Sequence, residues 1–166
     1  MISEKEIIMI HKICKVCSIY DYSINPDGSI DVNGDIDLKH LHLHKLPLRF
    51  NYVDGNFDCS SNFLTSLKDC PRHITGYFDC SDNILTSLEG GPKTIGNGFD
   101  CSYNHKLTSL EGGPVVNKSY YYYCQIESLI SLDGYVGSYN QLVCYNKNNL
   151  VKKHNRKNNL KILEKL

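Results

Sequence analysis

The chain has 166 residues, and 18 lysines and arginines balance 18 aspartates and glutamates. It suits one domain, with no net field to draw it onto nucleic acid or an anionic membrane. No apolar run approaches the ~18 residues of a membrane span. The charges within the first 17 residues interrupt the apolar core that a signal peptide requires, so a cytoplasmic protein is expected. The neutrality hides a polarity: from Lys147 onward seven basic residues face Glu164 alone, leaving eleven basic and seventeen acidic residues before it.

In chain order, Ser3 and Glu6 form a capping-box pair that opens a helix over about residues 3–17. Ile7, Ile10, Cys14 and Cys17 recur on one side of it. Cys14 and Cys17 lack the second pair a zinc site needs, so packing of the helix is expected rather than redox or metal chemistry. The segment Ser23–Leu38 reads as a hairpin around Pro26–Asp27–Gly28, followed by an Asn33–Gly34 turn. His40, His42 and His44 would share one face if extended. No carboxylate or cysteine completes a ligand set, and an exposed polar row is expected.

A repeat then takes over. Cys59, Cys80 and Cys101 are 21 residues apart, Leu38 precedes them by 21, and Cys124 and Cys144 follow after 23 and 20. A fixed period of this length marks a solenoid whose coils cannot fold singly. Phe57–Asp58–Cys59, Phe78–Asp79–Cys80 and Phe99–Asp100–Cys101 give the alternation of a short strand, with Phe and Cys inward and Asp outward. Ile36–Asp37–Leu38, Tyr122–Tyr123–Cys124 and Leu142–Val143–Cys144 occupy matching positions. A column that accepts leucine or cysteine is an apolar slot, which predicts reduced thiols in an intracellular protein. Cys70 stands at a turn where sister repeats carry glycine, and is expected to be the exposed thiol. Asn62, Asn83 and Asn104 are placed to satisfy backbone groups at each bend. The leucines at 64/67, 85/88, 107/110 and 129/132 fill the far side of the core. Gly90–Gly91–Pro92 and Gly112–Gly113–Pro114 turn the chain back, and Ile74 and Ile95 lead into the next coil.

The L-x-C-x-x-N-x-L strand and the LTSL-then-proline half-repeat resemble the short bacterial type of leucine-rich repeat. The wording FDCSxNxLTSLEGGPK resembles the leucine-rich-repeat proteins of bacteriophages and large DNA viruses. The expected fold is therefore an α/β solenoid of five to six coils over residues 36–146. It would be curved, with one parallel sheet on the concave face and few helices in the coils. Residues 1–35 would form a helix-and-hairpin cap, and residues 147–166 a basic C-terminal helical cap or tail. The resemblance implies recognition, viral origin and a host target.

Two outward features are candidates for that recognition. Asp37, Asp58, Asp79 and Asp100 should stand side by side, although like charges across strands destabilise a sheet. Calcium is disfavoured because the pattern supplies no mixed oxygen cage. Tyr77, Tyr103, Tyr121 and Tyr123 would flank this acidic row, and tyrosine beside acid suits a lysine- or arginine-rich protein surface. No phosphate loop, dinucleotide fingerprint or nucleophile motif is present, so no catalysis and no cofactor or metal is expected. The expectation is a non-catalytic interaction module, monomeric or weakly homo-oligomeric, binding a host protein. This would inhibit the target, a defence component included. Its alternatives are a structural subunit joining acidic face to basic tail, and a nucleic-acid binder acting through that tail, which is disfavoured.

Overall fold

In the computed structural model the structure describes residues 2–116 and 122–133, together with strand 142–143. Helix α1 (Glu4–Val16) opens as expected: the Ser3 side chain accepts from the Glu6 amide, and the Glu6 carboxylate accepts from the Ser3 amide at 2.7 Å. These bonds from Ser3 hold the Glu6 carboxyl below its ordinary range. Ile10 and Cys14 point from α1 into the core. Strands β1 (Tyr22–Ile24) and β2 (Ile30–Asn33) then form the antiparallel hairpin.

From Ile36 the chain winds through short strands that alternate between two sheets. The first sheet takes β4 (Phe50–Asp54), β6 (His73–Ile74), β8 (Thr94–Ile95) and β10 (Val115–Val116) beside the hairpin. The second takes β3 (Ile36–Asp37), β5 (Phe57–Asp58), β7 (Phe78–Asp79), β9 (Phe99–Asp100), β11 (Tyr122–Tyr123) and β12 (Leu142–Val143). Apart from the hairpin all pairings are parallel and join strands about one repeat apart. From β3 to β11 the chain completes about four turns of a β-solenoid.

The expectation of a single sheet is corrected. The residues that lead into each coil themselves pair: Gly96 N donates to Ile74 O at 2.9 Å and Lys93 N to Arg72 O at 2.8 Å. A β-branched pair after a Gly-Gly-Pro turn is too short to show alternation, yet neighbouring copies satisfy its backbone. The only helix among the described residues is α1, so the described residues of the coils contain none. No helix there is long and apolar enough to cross a membrane.

The columns assort as the repeat predicts. Phe57, Phe78, Phe99, Cys59, Cys80, Cys101 and Cys124 are fully buried, and Tyr122 takes the phenylalanine slot at 1 % exposure. Ring centroids run in series at 5.0 Å (Phe50–Phe57), 6.0 Å (Phe57–Phe78), 5.4 Å (Phe78–Phe99) and 4.7 Å (Phe99–Tyr122). Tyr122 needs room that only glycine leaves: a Cβ on Gly113 would lie 2.6 Å from its hydroxyl. Burial, with the neighbouring thiols of Cys59 and Cys101, pushes the Cys80 thiol well up, as befits a core side chain.

Asparagine closes each bend. Asn83 Nδ2 donates to the carbonyls of Cys59 (3.0 Å), Cys80 (3.2 Å) and Ser81 (3.1 Å), and its Oδ1 accepts from Leu64 N (2.9 Å). Asn62 and Asn104 repeat this pattern, with Leu43 N and Leu85 N as donors. Each amide thus ties its own coil to the preceding one.

Cys70 is also corrected. It is only 5 % exposed and belongs to the core, its thiol against that of Cys59. In its place the next coils need glycine: a Cβ on Gly91 would lie 2.9 Å from Leu67 Cδ1. The turn is closed by contact with the preceding leucine.

Candidate functional site

The second sheet exposes on its outer side the residues that alternate with its Phe and Cys columns. Asp37, Asp58, Asp79 and Asp100 stand in register on β3, β5, β7 and β9. Asp37 is exposed and the other three are half-buried. Each carboxylate has a structural duty that its place in the repeat did not reveal. Its Oδ1 accepts the amide two residues on: Lys39 N at 3.2 Å, Ser60 N at 2.9 Å, Ser81 N at 2.9 Å and Ser102 N at 2.7 Å. This Asx turn ends the strand and starts the bend. The recurring Asp-x-Ser was its signal.

The turn occupies Oδ1 and leaves the charge uncompensated. Asp37 pairs with Lys39 at 3.3 Å, whereas Asp58, Asp79 and Asp100 make no ion pair among the described residues. Asp79 feels this most: burial raises its carboxyl pKa against the Ser81 bonds that lower it, and Asp100 and Asp58 raise it further. The strip therefore carries half-desolvated negative charge on strands paired in register.

The tyrosines divide. Tyr77 precedes Phe78 and shares the outer side with Asp79. It is half-buried, and burial together with Asp100 and Asp79 pushes its hydroxyl pKa far up. In its column the next strand offers Gly98, which carries no side chain and is nonetheless buried. Gly98 therefore leaves open space beside Tyr77 on the outer side. Tyr123 is half-buried beside Asp100 in register. Tyr103 belongs to the bend rather than the strand row. Its backbone is left-handed (φ 58°), it is 49 % exposed, and its hydroxyl donates to Gln125 Oε1 at 2.6 Å. Tyr121, Cys144 and the basic segment 147–166 lie outside the described residues.

The histidine row is not extended. His40 and His42 have left-handed backbones at φ 57° and 55°, which breaks the alternation that would align the three rings. His42 and His44 instead stack on Phe63, at 5.7 and 5.4 Å between ring centroids. Among the described residues no three His, Cys, Asp or Glu side chains converge as metal ligands would.

Sequence reasoning missed a second charged feature at the corner where the first sheet begins. Arg49, Lys68, Arg72 and Lys93 line an open groove of about 760 Å³ with Asp27, Asp69 and the Gly90–Gly91 turn. Four cations meet there, of which Arg72 and Lys93 stand one repeat apart and Arg49 and Lys68 fall outside that column. Comparison with protein-family models, curated proteins and solved structures found no match.

Proposed function

We propose that this protein is a non-catalytic interaction module that binds another protein through the outer side of its second sheet. In this reading the solenoid is a leucine-rich repeat of the phage and viral type, and its partner is a host protein with a basic surface. Support for the family and the viral setting is the wording of the repeat, FDCSxNxLTSLEGGPK. The observation that carries the binding role is the row of Asp58, Asp79 and Asp100, in register and without a counter-cation among the described residues.

The Asx turns explain why aspartate recurs, but asparagine would make the same turn without charge. A partner arginine would neutralise the strip and stack on Tyr77 or Tyr123. Binding of this kind excludes other ligands from the partner's basic surface, which is a route to inhibition. The test compares wild type with the triple variant Asp58→Asn, Asp79→Asn, Asp100→Asn as bait in host lysate. Proteins held by wild type and released by the variant, or by about 0.3 M added salt, support the reading. Equal capture by both baits would sink it.

A further inference from the structure

The basic groove calls for an explanation of its own. Each strip aspartate closes a turn through Oδ1, whereas no comparable backbone duty is found for the side chains of the cations at the corner of the first sheet. Arg49 is engaged: its guanidinium lies 3.6 Å from the Asp27 carboxylate and 3.7 Å from that of Asp69, and donates to the Asp27 carbonyl at 3.1 Å. Lys68, Arg72 and Lys93 are exposed and make no ion pair among the described residues. Arg72 and Lys93 are held in adjacent coils by the Lys93 N to Arg72 O bond of 2.8 Å, and neighbouring strands lie ~4.8 Å apart. Like charges so placed repel.

The Gly90–Gly91 turn that lines the groove adds no side chain to it. Gly90 adopts φ 85° and its absent Cβ would lie 3.2 Å from Lys68 N, so the turn sends no side chain between the cations. Three uncompensated cations around an open hollow match a compact ligand carrying several negative oxygens. Arginine's planar fork takes two oxygens of one phosphoryl group, while lysine acts as a point charge on the next. We propose that this groove is a binding site for a chain of two or more phosphoryl groups, gripped by Arg72 and Lys93 with Lys68 at its side. The site is independent of the acidic strip.

Isothermal titration of the full chain at constant ionic strength tests this, with inorganic tripolyphosphate and ATP as probes. Saturable one-to-one binding is expected, weakened tenfold or more in Arg72→Gln/Lys93→Gln and unchanged in the triple Asp→Asn variant. Equal affinity for the two probes would assign recognition to the phosphoryl chain alone, and tighter ATP binding would add a contact to the nucleoside; either upholds the site. The proposal is overturned if tripolyphosphate does not bind. It is equally overturned if the Gln variant, shown to be folded by circular dichroism, binds like wild type, which would place the anion outside this groove. Binding of a polyglutamate peptide or a single-stranded oligonucleotide without tripolyphosphate would also overturn it.

Discussion

Substituting Asn83 by alanine isolates the device that joins the coils. The side chain is 4 % exposed and makes four hydrogen bonds. Cys59 O keeps a second donor in Asn62 Nδ2 at 3.1 Å, so its loss is partial. Leu64, at 0 % exposure, loses the acceptor of its amide. An orphaned buried donor costs about 1–3 kcal/mol and each weakened carbonyl about 0.5 kcal/mol, for a total of about 3 kcal/mol. With a urea m-value near ~2 kcal/mol/M, the midpoint should fall by about 1.5 M at unchanged m. Asn97→Ala, at an exposed turn position, is the control and should stay within about 0.5 kcal/mol. A loss below about 1 kcal/mol at Asn83 would refute the ladder as the source of cohesion between coils.

Further outcomes follow from the same geometry. The raised Asp79 carboxyl binds its proton more tightly folded than unfolded, so its contribution is fully present below pH ~3.8 and is lost as pH rises through the folded value. Asp79→Asn keeps the Ser81 turn; it should therefore raise stability at pH 7 and change nothing at pH 3, measured by urea unfolding at both. Asp79→Ala should instead cost about 1 kcal/mol in the same assay through the lost turn bond. Gly96→Ala drives a Cβ into the Thr75 carbonyl oxygen, and overpacking against backbone should lower stability by about 1–3 kcal/mol in thermal melts. In native alkylation mapped by mass spectrometry, half-exposed Cys17 should react well before Cys59, Cys80 and Cys101, which are 0 % exposed. Early labelling of Cys80 would contradict the buried column.

The repeat made the inner columns legible because burial acts on every copy alike. Phe, Cys and Leu fell inward, and Asn62, Asn83 and Asn104 hold the bends. The second sheet was not legible, since Thr94–Ile95 is too short to show a period and takes its strand character from the neighbouring coil. Cys70 was misread because glycine in sister coils suggests an open turn, whereas the position faces Leu67 and the core. At the candidate face, Asp79 was placed outward by alternation, with Tyr77 beside the acidic row. Their unequal roles were hidden, because the turn bond to Ser81 N and the gap at Gly98 are properties of the folded backbone. The cation groove had only a partial signal: Arg72 and Lys93 stand one repeat apart, but Arg49 and Lys68 fall outside that column.

The central claim is that the strip's aspartates divide their oxygens, one for the turn and the remaining charge for a basic partner. Titration of a fluorescent arginine-rich peptide into wild type and into the Asp58→Asn, Asp79→Asn, Asp100→Asn variant, with urea unfolding of both, measures the two duties together. The account predicts saturable, salt-sensitive binding to wild type. It predicts a loss of tenfold or more in the variant, whose stability is equal or higher. Undiminished binding by a folded variant, or its unfolding, would contradict the division.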